Sequence, residues 1–95
     1  MPTNLASLES TLADRRARYG SFEDVAETTH LISKAISDAL AKNPHTLTPV
    51  MAVAFGMIAN KLARIANGDV DYHDSWADVA GYATLVANTL EPEAE

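Results

Sequence analysis

At 95 residues and 10.2 kDa the chain makes one domain and excludes two, because a single core divides only at much greater length. Hydrophobic residues at 47% and charged residues at 21% exclude the low-apolar, high-charge signature of disorder, and the absence of Cys excludes a disulfide framework, a thiolate metal site and a cysteine nucleophile. Thirteen acidic against seven basic residues, a net charge of -6, argue against duplex nucleic acid as partner, since phosphate neutralisation needs a dense Lys/Arg surface.

Leu5, Leu8, Leu12 and Tyr19 recur at helical spacing behind Pro2 and Thr3, which predicts a first helix over about residues 4–18, ended by Gly20. Ser21 with Asp24 resembles a capping box, and Phe22, Val25, Ala26, Thr29, Ile32, Ala35, Ile36 and Leu40 carry the stripe of a second helix over about 22–42. Asn43-Pro44 is a stop signal: Asn tolerates the left-handed cap conformation and Pro cannot continue the ladder. Thr48 as N-cap and Pro49 at the first helical position restart the chain in a third helix, about 49–66. That helix is apolar almost all round, through Val50, Met51, Val53, Phe55, Met57, Ile58, Leu62 and Ile65, and is expected to be the central element. Asn67-Gly68 closes it. Asp71 with Asp74 is expected to cap a fourth helix, about 72–90, whose stripe is Trp76, Val79, Ala80, Ala83, Val86, Ala87 and Leu90. Residues 91–95 form an acidic end.

No segment alternates like a strand, so the fold expected is all-α, a small antiparallel four-helix bundle filling 1–95 as one domain. A chain this short buries only ~60–65% of its unfolded surface, and alanine stripes on the last two helices imply close approach within the chain or to another copy. A homo-oligomer is therefore expected. No stretch suggests a signal peptide or a membrane span, so the expected setting is the cytoplasm, away from membranes.

Lys61 and Arg64 share one face of the third helix, and Asp74 and Asp78 one face of the fourth. Cations on so apolar a helix must reach the rim or meet carboxylates, and the short Asn67-Gly68 connection allows all four to form one charged cluster. Such a cluster can be an ion-pair network that fixes helix register, or a pocket for a phosphorylated ligand or Mg²⁺, which favours oxygen ligands. Arg15, Arg16, Arg18 and Tyr19 form the only basic cluster; its guanidiniums suit phosphate or carboxylate, Tyr19 can stack on a base, and the cations also suit a helix C-terminus. His30, His45 and His73 lack zinc-site spacing, and there is no Gly-x-Ser-x-Gly elbow, phosphate loop or dinucleotide fingerprint. Candidate ligand-binding residues are Arg18, Tyr19, Lys61, Arg64, Asp74 and Asp78; no catalytic or metal-binding residue is assigned.

The run Met57 to Ile65 with Gly68, then Asp74-Ser75-Trp76-Ala77-Asp78-Val79-Ala80-Gly81-Tyr82-Ala83, together with Arg18-Tyr19-Gly20-x-Phe22, resembles a family of short phage and prophage proteins of unknown function over nearly the whole chain. More distantly, paired helices ending in Asp78-x-x-x-Tyr82 are similar to the MazG-like all-α nucleotide pyrophosphohydrolases. Those enzymes hold Mg²⁺ with Glu-x-x-Glu on one helix and Glu-x-x-Asp on the next; here only Asp78 carries over, Ser75 replaces the preceding Glu, and Lys61-x-x-Arg64 stands where acids would be needed. The resemblance implies a scaffold whose metal site has given way to ion pairs. The expectation is a non-catalytic, self-associating phage or prophage protein, without cofactor, that binds a host protein or a nucleotide-like small molecule. The alternative is a Mg²⁺-dependent nucleoside triphosphate pyrophosphohydrolase using Asp74 and Asp78 with Glu23 or Glu27.

Overall fold

The computed structural model describes residues 5–90, so the acidic end at 91–95 lies outside the described residues. The order is α1 (Leu5–Tyr19), α2 (Phe22–Leu40), α3 (Pro49–Asn67) and α4 (His73–Thr89), an all-α four-helix bundle without strands among the described residues. Two helix starts form as the sequence predicts. Ser21 Oγ accepts from the Asp24 amide at 3.1 Å, and Thr48 Oγ1 accepts from Met51 at 3.2 Å with Pro49 in the first turn, so amides left without intrahelical partners are satisfied.

Two ends differ. Helix α2 stops at Leu40, and no non-Gly residue among those described takes a positive φ. Asn43 therefore makes no left-handed cap; its Oδ1 accepts from His45 N at 2.9 Å, a local turn that competes with helix. Nor does Asp71 cap α4, whose N-cap is Tyr72 without a side-chain bond. Asp71 instead hydrogen-bonds Asp69 and, with its charge, holds that carboxyl above the usual carboxylate range.

Helix α3 is central. It packs against α2 and against α4, which do not touch one another, while α1 reaches only α2 and α3. Four of the five buried apolar residues are its own, Ala54, Ala59, Ala63 and Ile65, joined by Val25 of α2; Ser75 of α4 is also buried. The small side chains of α3 let its neighbours approach closely, whereas Ala80, Ala83 and Ala87 of the stripe expected on α4 are exposed. Asn67 Nδ2 donates to Thr28 Oγ1 at 2.9 Å and Asn60 Nδ2 to Thr29 Oγ1 at 3.5 Å, setting α2 antiparallel to α3.

Several stripe assignments are corrected: Leu8 and Leu12 of α1 and Leu90 after α4 are exposed, as are two aromatic residues. Phe22 is 82% exposed. Trp76 is also exposed: its Nε1 donates to Val70 O at 2.8 Å, holding the indole over the turn before α4, and the inward row of that helix is Ser75, Val79, Tyr82 and Val86. Helix α3 has 19 residues at mean hydropathy 1.3, long and apolar enough by length and composition to cross a membrane, although the sequence had suggested no such stretch. Its first half leaves Val50, Val53, Phe55 and Met57 exposed.

The two loop glycines lock α1 to the α3–α4 connection. Gly20 has φ 87°, a conformation that L side chains rarely adopt, and a Cβ on it would lie 2.5 Å from Asn67 O. Gly68 passes equally close to the backbone of Arg18 and Tyr19, and the Asp69 amide donates to Arg18 O at 2.8 Å. This crossing delivers the C-terminal end of α1, with its arginines, to the end of α3.

Candidate functional site: an arginine–tyrosine cleft

All four arginines of the chain come to this crossing. Arg64 projects from the last turn of α3 over the Tyr19 ring, 4.9 Å from its centroid, and Arg15 approaches the same ring at 5.8 Å. Arg18 lies 4.5 Å from the Tyr72 ring centroid, with Nη1 donating to Tyr72 Oη at 3.4 Å. The two tyrosines meet edge to face at 6.0 Å, so cation–π contacts on both flanks hold the guanidiniums in place. Among the described residues none of these arginines has a carboxylate within 4.0 Å; the ion pairs are Lys34–Asp38, Lys61–Asp78 and His73–Asp74.

Beside the stack lies an open cleft of about 910 Å³ between α1, the start of α2 and α3. Leu12, Ala13, Ala17, Phe22 and Val25 give it apolar walls, Arg15, Arg16, Arg64, Asn60 and Tyr19 give it donors, and Glu9 and Glu23 stand at it as well. Leu12, Ala13 and Ala17 of α1 face this space. An apolar slot with a few convergent polar groups is the usual form of a small-molecule site, and guanidiniums without an ion pair inside 4.0 Å among the described residues can turn to an anion.

The structure divides the sequence-predicted set. Arg18, Tyr19 and Arg64 converge, whereas Lys61 pairs with Asp78 at 3.0 Å on the α3–α4 edge. Asp74 is held by Tyr72 Oη at 3.1 Å and His73 Nδ1 at 3.2 Å, so the expected four-residue charge cluster does not form: Arg64, on the same face as Lys61, lies over the Tyr19 ring that α1 brings to it. Glu23 and Glu27 sit on α2, which does not touch α4, and no three His, Asp or Glu residues among those described are grouped as metal ligands would be. The sequence reading missed Tyr72, which only tertiary closure brings to Arg18, and did not select Arg15, Arg16 and Asn60. The Arg15-Arg16-x-Arg18-Tyr19 run was the signal available for the two arginines.

Tyr72 and Asp74 each shift the other's titration through their hydrogen bond. The hydrogen bond to Asp74, then partial burial, holds the Tyr72 hydroxyl above its ordinary 10.0, so its contribution to stability is present below that value and is lost as pH rises through the raised one. Hydrogen bonds from His73 and then Tyr72 hold Asp74 below 3.8; its contribution is present above 3.8 and lost as pH falls through the lowered value. Asp74→Ala should bring the Tyr72 titration, followed by NMR of ring-labelled tyrosine, down toward 10.0. An unchanged titration would show that the two groups do not interact in solution.

Residues 5–90 match the model of a family described as Domain of unknown function (DUF6378). The chain belongs to this family. The matched DUF6378 region takes in all four helices and so both sides of the cleft. No curated protein and no solved structure matches the chain.

Proposed function

We propose that this DUF6378 protein is a non-catalytic binding protein that self-associates in the cytoplasm and holds an anionic, ring-bearing small molecule of nucleotide type in the arginine–tyrosine cleft. The observation that carries this reading is the gathering of every arginine at one end of a chain of net charge -6, without a carboxylate partner among the described residues. The three guanidiniums that line the cleft outnumber its two carboxylates, Glu9 and Glu23, and an anion can neutralise the excess. Leu12, Ala13 and Phe22 would cover the apolar part of the ligand, and Arg15, Arg16 and Arg64 its phosphate. The resemblance of Lys61-x-x-Arg64 and the Asp74 to Tyr82 run to short phage and prophage proteins supports a phage origin, and the distant MazG-like similarity agrees with a nucleotide as ligand.

A thermal-shift screen of the purified chain against nucleoside mono- and triphosphates and cyclic dinucleotides, without metal, tests the reading. At least one is expected to raise Tm and to titrate calorimetrically with micromolar affinity, weakened about tenfold or more in Arg64→Ala and unchanged in Lys34→Ala. Failure of the whole panel would overturn the reading. Release of pyrophosphate from a nucleoside triphosphate in the presence of Mg²⁺ would replace it with the hydrolase.

A further inference from the structure

Asn60 lines the arginine–tyrosine cleft from α3, half-buried, one helical turn before Arg64. Beside it stands Thr29 of α2, whose hydroxyl has a single proton and gives it to Val25 O at 2.7 Å. A hydroxyl whose proton is already on a carbonyl can only accept. Asn60 therefore meets Thr29 Oγ1 through Nδ2, which donates to it at 3.5 Å, and not through Oδ1. The orientation of the carboxamide is set by this chain of two hydrogen bonds. Oδ1, which accepts from no donor among the described residues, is the end left for the cleft. Glu9 and Glu23 add carboxylates that accept and do not donate.

We infer that Asn60 selects, among nucleotide-like ligands, those whose ring carries an exocyclic amino group, with Thr29 as the residue that positions it; the inference rests on the binding reading above and deepens it by naming the class of ring. The arginines suit any phosphate, and Tyr19 stacks on any ring, so neither tells one base from another. Discrimination falls to polar groups that meet the edge of the ring, and Asn60 Oδ1 is an acceptor held in a fixed orientation. An amino group donates to it. A ring carbonyl in the same place sets two acceptors against each other and leaves both without a hydrogen bond, a mismatch that binding sites reject strongly. The carboxamide cannot answer by turning over, because Oδ1 would then meet the Thr29 oxygen, whose proton is on Val25 O. Arg64 lies four residues on, about 6 Å along the same helix, so the ring edge and the phosphate of one small molecule can reach both residues.

Calorimetric titration of the full chain with matched nucleotides that differ at one ring substituent tests the inference: cytidine against uridine, and adenosine against inosine, each as mono- and triphosphate. The amino member of each pair is expected to bind about tenfold or more tightly than the keto member. Asn60→Ala should remove the preference by bringing the amino member down to the affinity of its partner. Thr29→Val, which lets the carboxamide turn, should narrow the preference to about twofold or less, and Thr29→Ser, which restores the hydroxyl, should keep it. Loss of packing alone does not give that pattern. Should Thr29→Val unfold, the wild-type pairs and Asn60→Ala still decide. In the ligand-free chain, NMR of the Asn60 side-chain amide should show one proton moving upfield in Thr29→Val and staying in place in Thr29→Ser; no movement would overturn the anchoring whatever binds. Equal affinity within each pair, or tighter binding of the keto member, would overturn the inference and leave nucleotide binding standing. If none of these nucleotides binds, the inference falls, and the binding reading falls with it only when the cyclic dinucleotides fail too.

Discussion

Gly68→Ala is expected to destabilise the fold by about 3 kcal/mol, lowering Tm by about 15 °C, out of the ~5–10 kcal/mol available to a domain of this size. The cause is contact, not strain: a Cβ at Gly68 would lie 2.6 Å from the carbonyl carbon and Cα of Tyr19, backbone atoms that cannot rotate aside. Relief requires α1 to lift from the α3–α4 connection, which also removes the bond from the Asp69 amide to Arg18 O and draws Arg18 off Tyr72. Gly56→Ala is the control. Its Cβ would meet nothing within 4 Å inside a helix, and the lower backbone entropy of the unfolded chain should stabilise by ~0.5–1 kcal/mol. Thermal denaturation of both variants measures the contrast, and a Gly68→Ala protein as stable as wild type would refute the crossing.

The second large effect is expected at the α3–α4 edge. The Lys61 side chain is 15% exposed and that of Asp78 50%, so the cost of breaking the bridge is lopsided. Asp78→Leu leaves a mostly covered ammonium without its partner and should cost about 1–2 kcal/mol, less than a fully buried pair because water still reaches the carboxylate side. Lys61→Met leaves a half-exposed aspartate that water resolvates, at a cost below ~1 kcal/mol. Combining the two should recover most of the loss, with a coupling near 1 kcal/mol in urea denaturation. Arg64→Met combined with Asp78→Leu should instead be additive within ~0.5 kcal/mol, because Arg64 rests on Tyr19 and not on Asp78. Coupling in the second cycle and none in the first would reverse the assignment of partners.

Much of the helical framework was legible in the residues. Ser21, Thr48 and Pro49 sit at helix starts because their side chains or missing amide answer a local hydrogen-bonding problem, and a local problem is written in adjacent residues. Asn43 and Asp71 offered the same type of signal and served a turn and a neighbouring carboxylate instead, since Asn and Asp have more than one local partner within reach. The candidate site was legible by half. Arg18, Tyr19 and Arg64 were selected, Tyr72 was not, and Lys61, Asp74 and Asp78 proved to belong to other contacts.

By itself the sequence determined the class, the four helices, their connections near Gly20, 43–48 and 67–71 to within two residues, and the central place of the third, because periodicity, caps and breakers act over a few residues. Only the tertiary structure decided which faces of those helices are covered. Helix α3 is apolar almost all round, so its pattern leaves open where neighbours sit; the crossing of Gly20 with Asn67 and of Gly68 with Arg18 and Tyr19 places α1 over Asn60 and Arg64 and leaves Val50, Val53 and Met57 bare. That one close approach, possible because neither glycine carries a Cβ, brings Arg64 and Tyr19 together across 45 residues of chain and forms the cleft.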